Sequence, residues 1–139
     1  MKIRIQCTEY TPTKAHSADA GWDLYSMETV FISPGEQETI FTGVFLELPE
    51  GYEAQIRSRS GLSIKHGIVV INSPGTVDAG YRGEVNVGLM NHSHDAYCVQ
   101  KGDRIAQMII QKLPPVELVV VDKINSTPRG ATGMGDSGK

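Results

Sequence analysis

Cysteine is scarce: Cys7 and Cys98 are too few for a disulfide framework, and no Cys-x-x-Cys or Cys/His spacing marks a zinc site. A reducing compartment is therefore expected. No apolar run approaches the roughly 20 residues of a membrane helix, and Met1-Lys-Ile-Arg opens directly on alternation, without the apolar core of a signal peptide. The chain is expected to be soluble, cytoplasmic and without a membrane partner. Cationic excess is missing too, with 13 Lys and Arg against 16 Asp and Glu for a formal net charge of −3. General nucleic-acid binding relies on such an excess and is not expected. Any anionic ligand must be met by a local cluster. Helix signals and internal repeats are nearly absent, and 139 residues are enough for one domain with a core that needs no staples.

What the chain has in quantity is two-residue alternation. Ile3, Ile5 and Cys7 alternate with polar neighbours. Val44, Leu46 and Leu48 do so before the turn Pro49-Glu50-Gly51, and Tyr52, Ala54 and Ile56 after it, which reads as a hairpin. Further strands are predicted at Val30 to Ile32, Ile68 to Ile71, Glu84 to Met90, Tyr97 to Val99, Ile105 to Gln111 and Val116 to Val121, separated by turn-forming residues. Many short strands at this spacing predict an all-β sandwich or barrel. One short helix is predicted, Gly61 to His66, with Ser60 as N-cap and Gly67 as its stop.

Three segments carry chemistry. The stretch Asn72 to Glu84, NSPGTVDAGYRGE, sets an amide, a carboxylate, a phenol and an arginine close together. Gly75, Gly80 and Gly83 permit positive φ, so tight folding is expected to gather Asn72, Asp78 and Tyr81 around one small pocket. By itself the stretch is equally compatible with two ordinary hairpin connections. In Arg57-Ser58-Arg59-Ser60-Gly61 two guanidinium groups flank a helix start, where free N–H groups and the positive dipole end favour an anion. The competing account is a capped helix with exposed arginines. In the tail, Gly133, Gly138 and Lys139 have Walker A spacing, but no Ser or Thr follows for a metal and no helix for the phosphates, which excludes a P-loop. Its glycines predict a mobile arm over 129–139 following a β domain over 1–128. Glycine N–H groups together with Arg129 suit a polyphosphate.

Five segments, in order, give the chain a family likeness: Ala20-Gly-Trp-Asp-Leu-Tyr-Ser26, Arg59-Ser-Gly-Leu-Ser63, Asn72 through Glu84, Gly102-Asp-Arg-Ile-Ala-Gln107 and the Arg129-Gly tail. Together they resemble the homotrimeric dUTP pyrophosphatases (dUTPases), over almost the whole chain. The resemblance implies a β jelly roll, active sites at subunit interfaces, and an arm that reaches over a site built largely by other subunits. It implies hydrolysis of dUTP to dUMP and pyrophosphate, which limits uracil incorporation into DNA and supplies dUMP for thymidylate synthesis. The location would be cytoplasmic, or the host cytoplasm for a viral gene. By the same resemblance Asp78 activates the attacking water and contacts the 3′-hydroxyl, and Tyr81 packs on deoxyribose where a 2′-hydroxyl has no room. Asn72 and the backbone near Thr76, Val77 and Asn86 read uracil. Arg59, Ser60, Gly61 and Gln107 hold the phosphate chain, Gln107 also counting among the catalytic residues, and Arg129 is the arm's phosphate contact. Asp23 acts on Mg²⁺ through water, the metal being carried mainly by the phosphates.

The chain departs from the family's usual arm at three positions. Met134 stands where an aromatic commonly stacks on uracil, Asp136 where a serine is usual, and Thr132 where a glycine is usual. Stacking of an aromatic on a base contributes roughly 1–3 kcal/mol, more than a thioether supplies. Two other functions were weighed: a dCTP deaminase-like enzyme and a catalytically weak jelly-roll regulatory or binding module. The intact Asn72 to Tyr81 stretch and the glycine-rich arm disfavour the first, and Asp78, Tyr81, Arg59 and Gln107 disfavour the second. His92 and His94 belong to a polar turn and His66 to a helix end. Trp22 is expected to pack beside Asp23, and Cys98 in the core.

Overall fold

Side chains that are apolar at every second position can all leave water only when the strands carrying them turn one face towards a shared interior. The computed structural model describes residues 1–138. Lys139, the last residue of the Walker-like spacing, lies outside the described residues. In chain order the elements are β1 (Arg4–Cys7), β2 (Trp22–Tyr25), β3 (Val30–Ile32), β4 (Gln37–Ile40), β5 (Val44–Glu47), β6 (Tyr52–Arg57), α1 (Ser60–His66), β7 (Ile68–Val70), β8 (Gly75–Val77), β9 (Val87–Asn91), β10 (Tyr97–Val99) and β11 (Arg104–Lys112). The strands form four small antiparallel sheets, ordered β1-β5, β10-β3, β2-β11-β6-β8 and β4-β9-β7. Every strand from β2 to β11 supplies at least one buried side chain to a single cluster, among them Leu24, Ile32, Ile40, Val44, Ile56, Ile68, Val77, Leu89, Val99 and Ile105. Each large aliphatic buried there contributes about 1.5–3 kcal/mol. The all-β fold with one short helix is what the alternation predicted, and the jelly roll is what the family resemblance implied.

The local details differ in instructive ways. Val44 to Leu48 and Tyr52 to Ile56 do not form a hairpin with one another. β5 pairs with β1, while β6 pairs with β11 on one side and β8 on the other. The Pro49 to Tyr52 turn thus passes the chain from one sheet to another, and alternation carries no information about which partner a strand takes. β2, β4 and β8 were not anticipated. β4 shows why, because Gln37, Glu38 and Thr39 are exposed and only Ile40 is buried. Val116 to Val121 is not a strand in the single chain, and the whole segment is exposed, Val120 almost fully at 99%. Among the described residues the segment pairs with no strand. Cys98 is half-buried, not fully in the core.

Gly75, Gly80 and Gly83 are not among the positive-φ glycines. The helix opens one residue earlier than predicted, and Arg59 replaces Ser60 as its N-cap. The Arg59 carbonyl accepts from the Ser63 amide at 3.0 Å and from the Ser63 hydroxyl at 3.1 Å. The Ser60 hydroxyl therefore does no capping. Gly67, in the left-handed region at φ 66°, ends the helix as expected.

The polar run after β9 has a buried root. Asn91 is fully buried, and its amide nitrogen donates to the carbonyls of Ile32 and Asp95, each at 2.8 Å. Its amide oxygen accepts from the Ser93 amide at 2.9 Å and the Ser93 hydroxyl at 2.7 Å. One side chain thus ties β9, β3 and the following turn. Leaving a buried acceptor unpaired costs about 1–3 kcal/mol. Asn91→Leu is expected to lower unfolding stability by at least about 2 kcal/mol in urea titrations, and an unchanged midpoint would contradict this account.

Candidate active site

The basic residues after β6 meet the carboxylate of β2 in one cleft of about 330 Å³, lined by Asp19, Gly21, Asp23, Arg59, Ser60, Gly61, Arg104 and Gln107 among others. Arg59 Nε lies 3.0 Å from Asp23 Oδ1, and Arg104 Nη1 lies 3.6 Å from Asp23 Oδ2. Arg59 Nη1 also donates to the Arg104 carbonyl at 3.3 Å. One partly buried carboxylate holds two guanidinium groups in place, leaving their remaining donors free for an anion. Gln107 donates to the Ser58 carbonyl at 3.0 Å, which anchors its amide at the cleft wall. A Cβ on Gly21 would come within 2.5 Å of Gln107 Oε1, so a larger residue there would push the Gln107 amide aside.

Arg104 and Gln107 reach the same cleft because β11 breaks register. Residues three apart on a regular strand face opposite sides. The pairing of β11 with β2 shifts between Arg104 and Ala106, and Ile105 and Ala106 are both buried. Gln107 then stands opposite Asp23, and Met108 opposite Trp22. Trp22 accordingly lies on the other face of β2 from Asp23, not beside it, with Lys14 Nζ 4.9 Å from its ring centroid. Arg104 was not singled out in the sequence, although it sits inside the quoted Gly102 to Gln107 segment.

The second constellation is a cleft of about 230 Å³ lined by Thr76, Val77, Asp78, Tyr81, Glu84, Val85 and Asn86. Its carboxylate is exposed at the turn after β8, where the Tyr81 amide donates to the Asp78 carbonyl at 3.1 Å. Tyr81 donates its hydroxyl to the Glu84 carbonyl at 2.9 Å. A Cβ on Gly83 would overlap the phenol, so Gly83 serves by having no side chain, not by positive φ. Glu84 accepts from the Gly43 amide at 2.7 Å and pins the loop to β5. It was missed as a site residue, though it closes the quoted stretch. Asn72 is not in this cleft; its amide lies against Gly75, where a Cβ would be 3.0 Å from Nδ2. β8 leads away from the Asn72 turn, and Asp78 and Tyr81 stand at its far end.

The two clefts share no lining residue: the first draws on β2, β11 and the chain after β6, the second on β8 and the turn beyond it. Arg129 is in neither cleft. It lies on the exposed tail, its Nε 3.6 Å from Asp136 Oδ2. Tyr97, near the polar turn, is committed to His66, with ring centroids 5.2 Å apart. Burial, then Asp103 and Cys98, push its phenol up, while Arg59 opposes them.

The chain is thus a β jelly-roll protein with an arginine cleft and a carboxylate–phenol cleft on one sheet. The family model described as dUTPase matches residues 9–138, and the chain belongs to that family. It is 51% identical over 120 residues to the deoxyuridine 5'-triphosphate nucleotidohydrolase of Nautilia profundicola, covering 86% of this chain and 84% of that protein. To the enzyme of the same name from Solibacter usitatus it is 50% identical, with 100% of this chain and 97% of the other covered. The structure of the Staphylococcus bacteriophage 80alpha dUTPase with dUpNHpp superposes at a TM-score of 0.91, with 30% identity and 99% of each chain covered. A mutant dUTPase from phage phi11 of S. aureus, described with a coordinated structural Mg(II) ion, superposes at 0.83 with 28% identity, covering 91% of this chain and 100% of that one.

The packing of Tyr81 over Gly83 distinguishes two neighbouring glycines. Gly83→Ala is expected to turn the ring out and lose about 0.5–1.5 kcal/mol with its hydrogen bond. Gly80→Ala meets open space without a positive φ and is expected to stabilise by about 0.4–1 kcal/mol through the unfolded chain. Equal denaturation midpoints for the two variants would rule out this packing.

Proposed function

We propose that the chain hydrolyses dUTP between its α and β phosphates, giving dUMP and pyrophosphate in the cytoplasm, and so limits uracil in DNA while supplying dUMP. The observation that carries this is the pair of clefts, one able to take a base and sugar and the other a phosphate chain. Asp78, exposed at the mouth of the hairpin cleft, accepts a proton from the attacking water and holds the 3′-hydroxyl. The Tyr81 ring, fixed by its bond to Glu84, covers the deoxyribose and excludes a 2′-hydroxyl. Thr76, Val77 and Asn86 present backbone donors and acceptors to uracil, and cytosine, with the reversed pattern, would leave buried groups unpaired. Arg59, Ser60, Gly61 and Gln107 hold the phosphates, joined by Arg104, and Arg129 closes over them from the arm formed by residues 129–139.

We infer that a single dUTP is bound between chains, in a homotrimer, the two clefts of one chain sharing no lining residue. Two uncovered apolar surfaces support assembly: the exposed run Val116 to Val121, and a groove of about 430 Å³ lined by Ile3, Ile5, Trp22, Leu46 and Met108 among others. Surfaces of this kind mark interfaces more often than open water.

A resident metal does not fit the protein donors alone. Among the described residues no group of three or more His, Cys, Asp or Glu could hold one, and Asp23 already carries two arginines. Mg²⁺ fits as part of the substrate, bound by phosphate oxygens and keeping its waters, with Asp23 reached through water. Bound there, it neutralises charge on the phosphates.

Asp78→Asn is expected to bind dUTP nearly normally and to lose around 10²-fold or more in turnover; near-normal pyrophosphate release would refute its role. The wild type should sediment as a trimer, and mixing Asp78→Asn chains with chains lacking 129–139 should restore part of the activity, since the two defects fall on different subunits. A fully active monomer would overturn the shared site. Chelation of Mg²⁺ is expected to abolish turnover yet leave the thermal midpoint unchanged, whereas a clear fall in the midpoint would reveal a resident structural metal.

A further inference from the structure

Arg129 is the arm's proposed phosphate ligand, yet its guanidinium is already engaged. Its Nε donates to the Thr132 carbonyl at 3.2 Å and lies 3.6 Å from Asp136 Oδ2, while the Thr132 hydroxyl donates to the Arg129 carbonyl at 2.9 Å. Turns close the intervening chain, with the Asp136 amide donating to the Gly133 carbonyl at 3.1 Å and the Gly130 amide to the Thr127 carbonyl at 3.0 Å. Gly130 and Gly135, at φ 59° and 87°, permit these reversals. Thr132 and Asp136, which depart from the family's usual glycine and serine, therefore converge on one arginine.

We infer that Asp136 is a positioning residue acting through Arg129: its carboxylate holds the guanidinium in the open arm and must be displaced by a phosphate of the substrate before the arm closes. This rests on the proposed role of the arm. Asp136 and the Thr132 carbonyl face the Nε edge of the guanidinium, so a phosphate that takes that edge must displace the carboxylate, although among the described residues the Nη donors stay open. The pair is exposed, at 67% and 39% of the two side chains, so it is weak and screened by salt. It acts as a latch that substrate can open, at the expense of affinity.

The test is a double-mutant cycle on dissociation constants for dUpNHpp with Mg²⁺, using the full-length protein. Arg129→Ala should weaken binding. Asp136→Ser should tighten it by roughly two- to fivefold at low salt, and the gain should shrink at high salt. In the Arg129→Ala background the same Asp136→Ser change should have no effect. Equal tightening in both backgrounds would overturn the latch, since Asp136 would then be repelling the phosphates directly. No tightening in either background would overturn it as well. If Arg129→Ala binds as tightly as wild type, the arm is not a phosphate ligand and the latch falls with it; if Arg129→Ala weakens binding but Asp136→Ser changes nothing, only the latch falls.

Discussion

Strand β11 is paired along both edges, with β2 on one side and β6 on the other, and its change of register near Ile105 is the constraint on which the phosphate cleft depends. The pairing of β11 with β2 shifts register between Arg104 and Ala106, a bulge in the ladder. The bulge brings Arg104 and Gln107 to one face and sets Gln107 opposite Asp23. Asp23 then balances Arg59 and Arg104, which would otherwise repel one another in a partly buried cleft.

The hairpin cleft follows a different rule, absence of side-chain volume. Gly83 leaves space for the Tyr81 ring, Gly21 does the same for Gln107, and neither uses the backbone freedom that usually explains a glycine. Glu84 fastens the loop to Gly43, so the aromatic wall beside Asp78 is held by both a backbone carbonyl and a side-chain bond. These bonds leave Asp78 itself exposed at the turn.

The four-stranded sheet also sets the logic of assembly. The two clefts are built on one sheet yet share no lining residue, so a ligand that needs both must bridge them within or between chains. The exposed Val116 to Val121 segment points to assembly, as a strand pattern with no edge of its own. The tail beyond it makes its described polar contacts within itself, which leaves it able to reach elsewhere.

Alternation along Ile3 to Cys7, Val44 to Leu48 and Tyr52 to Ile56 was enough to establish an all-β fold, because period two is a property of the local chain. The ordered segments around Asp23, Arg59, Asp78, Gln107 and Arg129 were enough to place the family, because side-chain chemistry and spacing are written directly in the residues. Partner choice was not legible: β5 and β6 look like a hairpin and pair elsewhere, since an alternating strand suits any edge with a matching apolar face. Nor were the Ile105 bulge, the exclusion of Asn72 from the hairpin cleft, or the Arg129–Asp136 contact, each of which depends on neighbours distant in sequence or on the path of a turn. The sequence by itself determined the fold class and the chemical groups available; only the tertiary structure decided which of them share a cleft, because that depends on strand pairing across the sheet and on the volume each glycine leaves open.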